Sequence, residues 1–258
     1  MASFNIEEEK HRPLRGMAMS ETNARDTSGS RGSRRVLRFL LVVAVVAVVV
    51  ILALWSSWSY MLPAHQRPSL GRIFFDDFSD GSTGNWTLTT SGGPITVDTS
   101  TGQVSAPSLN LSKQQRLGAT QAFHKFREVT SGNVSAEANL KVNTTSSWKW
   151  CYFNLLNRNG SVETYFGLVD GQMQYYAAGA WHTIGASYAA DTWYSIGLDV
   201  NLGAGIYDIY VNGVLKKLGA PLSGQDGHHA VNAVGLQAGT TNDLYGMTMW
   251  ADDVLVSA

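Results

Sequence analysis

From Arg72 onward, apolar and polar residues alternate in short runs separated by clusters of Gly, Asn, Asp and Ser, the period-two pattern of strands joined by turns. In 134–142, Val134, Ala136, Ala138, Leu140 and Val142 share one face, while Ser135, Glu137, Asn139 and Lys141 share the other. In 193–201 the inward set is Tyr194, Ile196, Leu198 and Val200. Tyr207, Ile209 and Val211 then alternate with Asp208 and Tyr210, and this run ends in Asn212-Gly213, a favoured type I′ hairpin pair that returns the chain through Val214 and Leu215. Further strands are expected at 73–78, 95–99, 108–111, 119–126, 148–155, 163–169, 172–177, 182–188, 233–238 and 247–256. No helix of ordinary length is needed. Many strands with one buried face each predict two packed antiparallel sheets.

Upstream the pattern changes completely. Phe39 to Trp55 is a run of seventeen uncharged residues, nearly all Val, Leu, Ala or Ile, and the uncharged stretch continues to Leu62. That is enough helix to cross a bilayer, which takes about 20 residues. Arg31, Arg34, Arg35 and Arg38 stand before it, and Trp55, Trp58 and Tyr60 form an aromatic belt after it. The positive-inside rule puts the N-terminus in the cytoplasm and the following domain outside or in a lumen. A cleaved signal peptide is disfavoured by the length of the apolar run, by the 38 residues before it and by the lack of a clear small-x-small site after Leu54. The expected organisation is a disordered cytoplasmic tail (1–35), a transmembrane helix with interfacial flank (36–62), a short stalk (63–71) and a β-sandwich (72–258).

Charge alters this little. Residues 1–38 carry eight Lys/Arg against five Asp/Glu, whereas the body is mildly acidic with scattered basic residues, so nucleic-acid binding is set aside. The single cysteine, Cys151, excludes an intrachain disulfide and sits in an apolar run, as a buried, inert thiol. Sequons at Asn85, Asn110, Asn133, Asn143 and Asn159 all follow the apolar run and agree with the topology if the source is eukaryotic.

Asp76-Asp77-Phe78, Gly84-Asn85-Trp86, Asp191-Thr192-Trp193-Tyr194, Tyr207-Asp208-Ile209-Tyr210-Val211-Asn212-Gly213 and Ala251-Asp252-Asp253-Val254-Leu255-Val256 occur in that order. Together they resemble the concanavalin A-like lectin/glucanase superfamily, in its laminin-G-like branch, over the whole of 72–258. The resemblance implies an all-β, two-sheet antiparallel jelly-roll sandwich, here preceded by one transmembrane α-helix, whose first and last strands pair. It also implies a family that recognises glycans or proteins more often than it catalyses.

Glucanases of that superfamily set acids at alternate positions of one strand, in a Glu-x-Asp-x-x-Glu arrangement. Here Glu128, Glu137 and Glu163 are the only glutamates after the apolar run, and none has an acidic partner two to four residues away. No nucleophile elbow, zinc-protease motif or phosphate loop occurs, so the chain is read as a non-enzyme. His228-His229 falls in a Gly/Asp-rich turn and is read as exposed loop histidine rather than metal ligand. If the end strands pair, Asp76, Asp77, Asp252 and Asp253 converge; they either hold a structural Ca²⁺, with Asp77 and Asp252 as its ligands, or simply cap strand edges. Glycan recognition needs exposed aromatic faces beside polar groups. Trp148, Trp181, Trp193 and Tyr210 are the candidates, provided that their strands neighbour one another. Trp150 and Tyr152 lie on the same face as Trp148, but both faces of that strand are apolar, and these two are placed in the core. The function expected is a membrane-anchored recognition module for a glycan or protein ligand. An accessory subunit of a larger membrane complex, its helix packed on other subunits and the bilayer, is the second reading, and a carbohydrate-active enzyme the third.

Overall fold

The computed structural model describes residues 70–104, 106–224, 229–239 and 245–258. The tail and the apolar anchor segment, with most of the stalk, lie outside the described residues. Among the described residues there is no helix, and so none long and apolar enough to cross a membrane. The strands, in chain order, are β1 (Arg72–Asp76), β2 (Thr87–Thr89), β3 (Ile95–Asp98), β4 (Ser108–Lys113), β5 (Gln121–Val129), β6 (Asn133–Val142), β7 (Cys151–Leu156), β8 (Val162–Val169), β9 (Gln172–Ala177), β10 (Ala180–Ser187), β11 (Tyr194–Asn201), β12 (Ile206–Val211), β13 (Val214–Pro221), β14 (Val231–Ala238) and β15 (Met247–Ser257).

All strand pairs are antiparallel, and they form two sheets. One runs β13-β12-β11-β6-β15-β4-β3, with β1 added to β15; the other runs β10-β9-β8-β7-β14-β5-β2. The alternation read from the sequence decides which faces meet. Val134, Ala136, Ala138, Leu140 and Val142 of β6, with Ile196, Leu198 and Val200 of β11, join one buried cluster with Phe153, Leu155, Phe166, Leu168, Val234 and Leu236 of the other sheet. Each such large apolar side chain contributes about 1.5–3 kcal/mol by leaving water. Cys151 belongs to this cluster at 3% exposure. The Asn212-Gly213 hairpin forms as expected: φ is 51° and 74° at the two residues, the left-handed pair that a type I′ turn requires, and Val211 faces Val214.

The end strands do pair. β4 occupies Met247–Ala251 of β15, and β1 occupies Val254–Ser257 alongside it. Asp76 fixes this corner: its Oδ1 accepts from the Phe78 amide at 2.8 Å, and its Oδ2 accepts from the Trp86 indole Nε1 at 2.9 Å. Phe78 and Trp86 stack beneath it, which ties Asp76-Asp77-Phe78 to Gly84-Asn85-Trp86. A bulge at Asp252–Leu255 shifts the register of β15 against β6, with Asp253 at φ 49°. The core-facing positions accordingly pass from Met247, Met249 and Ala251 to Val254 and Val256.

Candidate functional site

In β7, Cys151, Phe153 and Leu155 enter the core, so Tyr152, Asn154 and Leu156 point to the sheet's other face. By the same alternation Tyr165 and Gly167 of β8, Gln174 and Tyr176 of β9, Gln237 and Gly235 of β14, and Gln121 and Phe123 of β5 share that face. The ladder places them in rows. One row runs Gln174, Gly167, Tyr152, Gln237, Gln121 and Thr89; the next runs Tyr165, Asn154, Gly235, Phe123 and Thr87.

Trp181 of β10 lies across this surface and organises it. Its ring stacks on Tyr152 at 5.6 Å and 24°, and meets Tyr176 at 5.3 Å, Tyr165 at 6.2 Å and Trp150 at 6.2 Å in edge-to-face contacts. Trp150 in turn stacks on Trp148 at 5.7 Å and 15°. Gly167 makes this arrangement possible. A Cβ there would stand 3.0 Å from Trp181 Cζ3, so only a residue without a side chain lets the indole lie flat on β8. Asp170 anchors the outer end, accepting from the Trp148 amide at 2.9 Å and from Trp150 Nε1 at 3.0 Å through the same Oδ1. Burial, with Tyr176 beside it, holds the Tyr165 phenol above its ordinary range, so it stays neutral and able to donate. The result is a groove of about 320 Å³ lined by Ala119, Gln121, Tyr152, Val162, Tyr165, Trp181 and Gln237. It offers aromatic faces beside amide donors and acceptors.

The structure divides the sequence-predicted aromatics. Trp148 and Trp181 come together through Trp150. Trp193 and Tyr210 do not join them, because β11 and β12 belong to the other sheet. There Trp193 is engaged by Lys141, whose Nζ lies 5.3 Å from its ring and 4.3 Å from that of Trp250. Of Trp150 and Tyr152, both placed in the core from the sequence, Tyr152 is buried as expected, though on the sheet's outer face, whereas Trp150 is only part-buried. Tyr152 is buried at 4% exposure, yet it stands outside the core cluster and is covered by Trp181, while Trp148 is 61% exposed. Tyr165, Tyr176, Gln121 and Gln237 were missed; the signal available for them was their position at outward steps of β5, β8, β9 and β14.

The acids at the chain ends lie on paired strands but are already partnered. Asp77 Oδ1 accepts from the Ser79 amide, and Asp252 accepts from the amides of Gln103 and Asp253. Burial raises the Asp252 carboxyl, with the charges of Asp253 and Asp77 adding to the rise. Among the described residues no group of three or more His, Cys, Asp or Glu is arranged to hold a metal. His228 lies outside the described residues. His229 is not the exposed loop histidine expected: its side chain is 13% exposed and its Nδ1 is 3.1 Å from Oε2 of the buried Glu163. Gly205 and Gly224 make room for that ring, since a Cβ at either would come within 2.9 Å of it.

No family model and no curated protein matches the chain. Solved structures do. A sialidase aligns at TM-score 0.59 and 13% identity, over 73% of this chain and 19% of its own. A cellulose-induced protein, Cip1, aligns at 0.55 and 15%, over 71% of this chain and 96% of its own. A botulinum neurotoxin type C, which enters cells in dependence upon interaction with two ganglioside molecules, aligns at 0.52 and 11%, over 72% of this chain and 47% of its own. This chain therefore spans less than half of the sialidase and neurotoxin chains. At these identities, what the protein shares with all three is the fold, a two-sheet antiparallel β-sandwich.

Proposed function

We propose that this sandwich is a non-catalytic recognition module for a glycan, of the concanavalin A-like, laminin-G-like kind, held at a membrane surface by the apolar segment 39–62 with its N-terminus in the cytoplasm. The observation that carries the reading is the groove around Trp181. Indole and phenol faces suit the C–H surface of a sugar ring, and Gln121, Gln237 and the neutral Tyr165 hydroxyl suit its hydroxyl groups. The fold's occurrence in a neurotoxin that depends on gangliosides is in keeping with such a role. Glycoside hydrolysis needs two carboxylates about 5–10 Å apart across the scissile bond. Of the carboxylates near the groove, Asp170 is occupied with Trp148 and Trp150, and Glu163 is turned to His229 and Asn157. A structural calcium at Asp77 and Asp252 is part of the same proposal, supported by the burial of the Asp252 carboxyl, which raises it, and by the neighbouring charges of Asp253 and Asp77, which add to the rise. A protein ligand is the second reading, favoured by the edge strand β13, where Val214, Leu215 and Leu218 are exposed.

The test is a glycan array probed with the full chain and with Trp148→Ala and Trp181→Ala. Saturable binding that weakens by about tenfold or more in both variants is expected. Trp148 is exposed, so its variant keeps the fold and isolates recognition from stability. Absence of binding across a broad array would transfer the weight to a protein partner or an accessory subunit.

A further inference from the structure

The aromatic groove occupies only part of its sheet face. Four residues further along β5, beyond Gln121 and Phe123, the same outward alternation reaches Lys125, which lies opposite Ala233 of β14, and Ala233 lies opposite Leu156 of β7. At about 3.3 Å per residue this is about 13 Å from the Gln121 row. Here a second basin of about 410 Å³ opens, lined by Thr87, Phe123, Lys125, Asn157, Arg158 and Asn232 among others. Lys125 and Arg158 are both exposed. Among the described residues neither side chain makes an ion pair or a hydrogen bond. Among the described residues, Asp170 at the opposite end of the face is held by Trp148 and Trp150, and Glu163, behind the basin, is buried and held by Asn157 and His229. The face is thus polarised, aromatic at the β10 side and cationic toward β2 and the β7–β8 turn, and Gln121, Phe123 and Gly235 form a continuous floor between the halves.

Resting on the glycan reading above, we infer that the ligand is an acidic oligosaccharide, with one sugar stacked at Trp181 and a carboxylate or sulfate group further along the chain set between Lys125 and Arg158. Arg158 offers a planar fork of donors to an oxyanion and Lys125 a point charge, while the hydroxyl of Thr87 and the amide of Asn232 supply neutral hydrogen bonds around them. A neutral glycan would draw no charge-assisted hydrogen bond from either cation. A free anion too short to reach Trp181 would gain only the weak, screened attraction of two exposed charges.

The experiment titrates the full chain with three probes: a hexamer of galacturonate, the same hexamer as its neutral methyl ester, and a sulfated hexamer of comparable length. Each is run against the wild type, the double variant Lys125→Ala/Arg158→Ala and Trp148→Ala, at low and at high salt. At least one of the two acidic hexamers is expected to bind about tenfold or more tightly than the neutral ester at low salt. The double variant then brings that acidic hexamer down to the affinity of the ester, and salt does the same. The two acidic arms separate carboxylate from sulfate as the group read. Equal binding of acidic and neutral hexamers, or acidic binding untouched by the double variant, overturns the acidic-ligand inference, while sensitivity to Trp148→Ala keeps the glycan reading. No binding of any hexamer overturns the inference, and the array described above then decides the glycan reading separately.

Discussion

At the level of single side chains, polar groups are fixed by what they accept, and Asp98 is the clearest case. Burial pushes its carboxyl up, but hydrogen bonds from Ser100, the Trp250 indole and Thr101 outweigh that effect and hold it below the usual carboxylate range. A carboxyl whose folded value is depressed adds stability above its unfolded value, about 3.9, and that stability is lost as pH falls from there through the folded value. Asp98→Asn is therefore expected to lose about 1 kcal/mol at neutral pH, solvent screening having reduced the effect, with the gap to wild type closing below about pH 3.9. Thermal unfolding followed from about pH 6 to about pH 2 checks this; a gap that stays constant over that range would sink the account. None of it was legible in the sequence, where Asp98 is one more acid at a strand end and Trp250 one more aromatic. What covers Tyr152 was unreadable for a related reason. An apolar residue covered by core and one covered by a neighbouring indole have the same local pattern.

Among the elements, strand positions were largely legible because one face of most strands is buried, and burial imposes the period of two. The three-residue β2 was not, being too short to show a period, and the bulge in β15 was not, because it breaks the alternation on which the reading depends. Turn chemistry was the most transparent feature. Nothing lies within 4 Å of a Cβ built on Gly213, so the requirement for glycine there is purely conformational, set by its φ of 74°. Gly213→Ala is expected to cost about 1 kcal/mol through the left-handed backbone alone, read as a lower urea midpoint at unchanged slope. An unchanged midpoint would mean that the hairpin adopts another turn.

For the whole molecule, pairing β1 with β15 closes the sandwich and brings Asp77 near Asp252, which makes the proposed calcium a question of global stability. If the ion binds there, calcium at about a hundred times its dissociation constant should raise the melting temperature by about 5 °C or more. Asp252→Ala should abolish the rise. A melting temperature indifferent to calcium and to chelator would leave these acids as strand-edge caps.

The sequence by itself determined the strands, the hairpin and the two-layer all-β architecture, because each follows from local alternation and from backbone conformations that only certain residues tolerate. It also held the apolar segment on which the membrane proposal rests. Only the tertiary structure decided which aromatics share a surface. Trp148, Trp181, Trp193 and Tyr210 are equivalent in local pattern, but sheet membership depends on which distant strands pair. That pairing gathers Trp148 and Trp181 with Tyr152, Tyr165 and Tyr176 and leaves Trp193 and Tyr210 on the opposite sheet. The same long-range pairing sets Lys125 and Arg158, distant in the chain, around one basin.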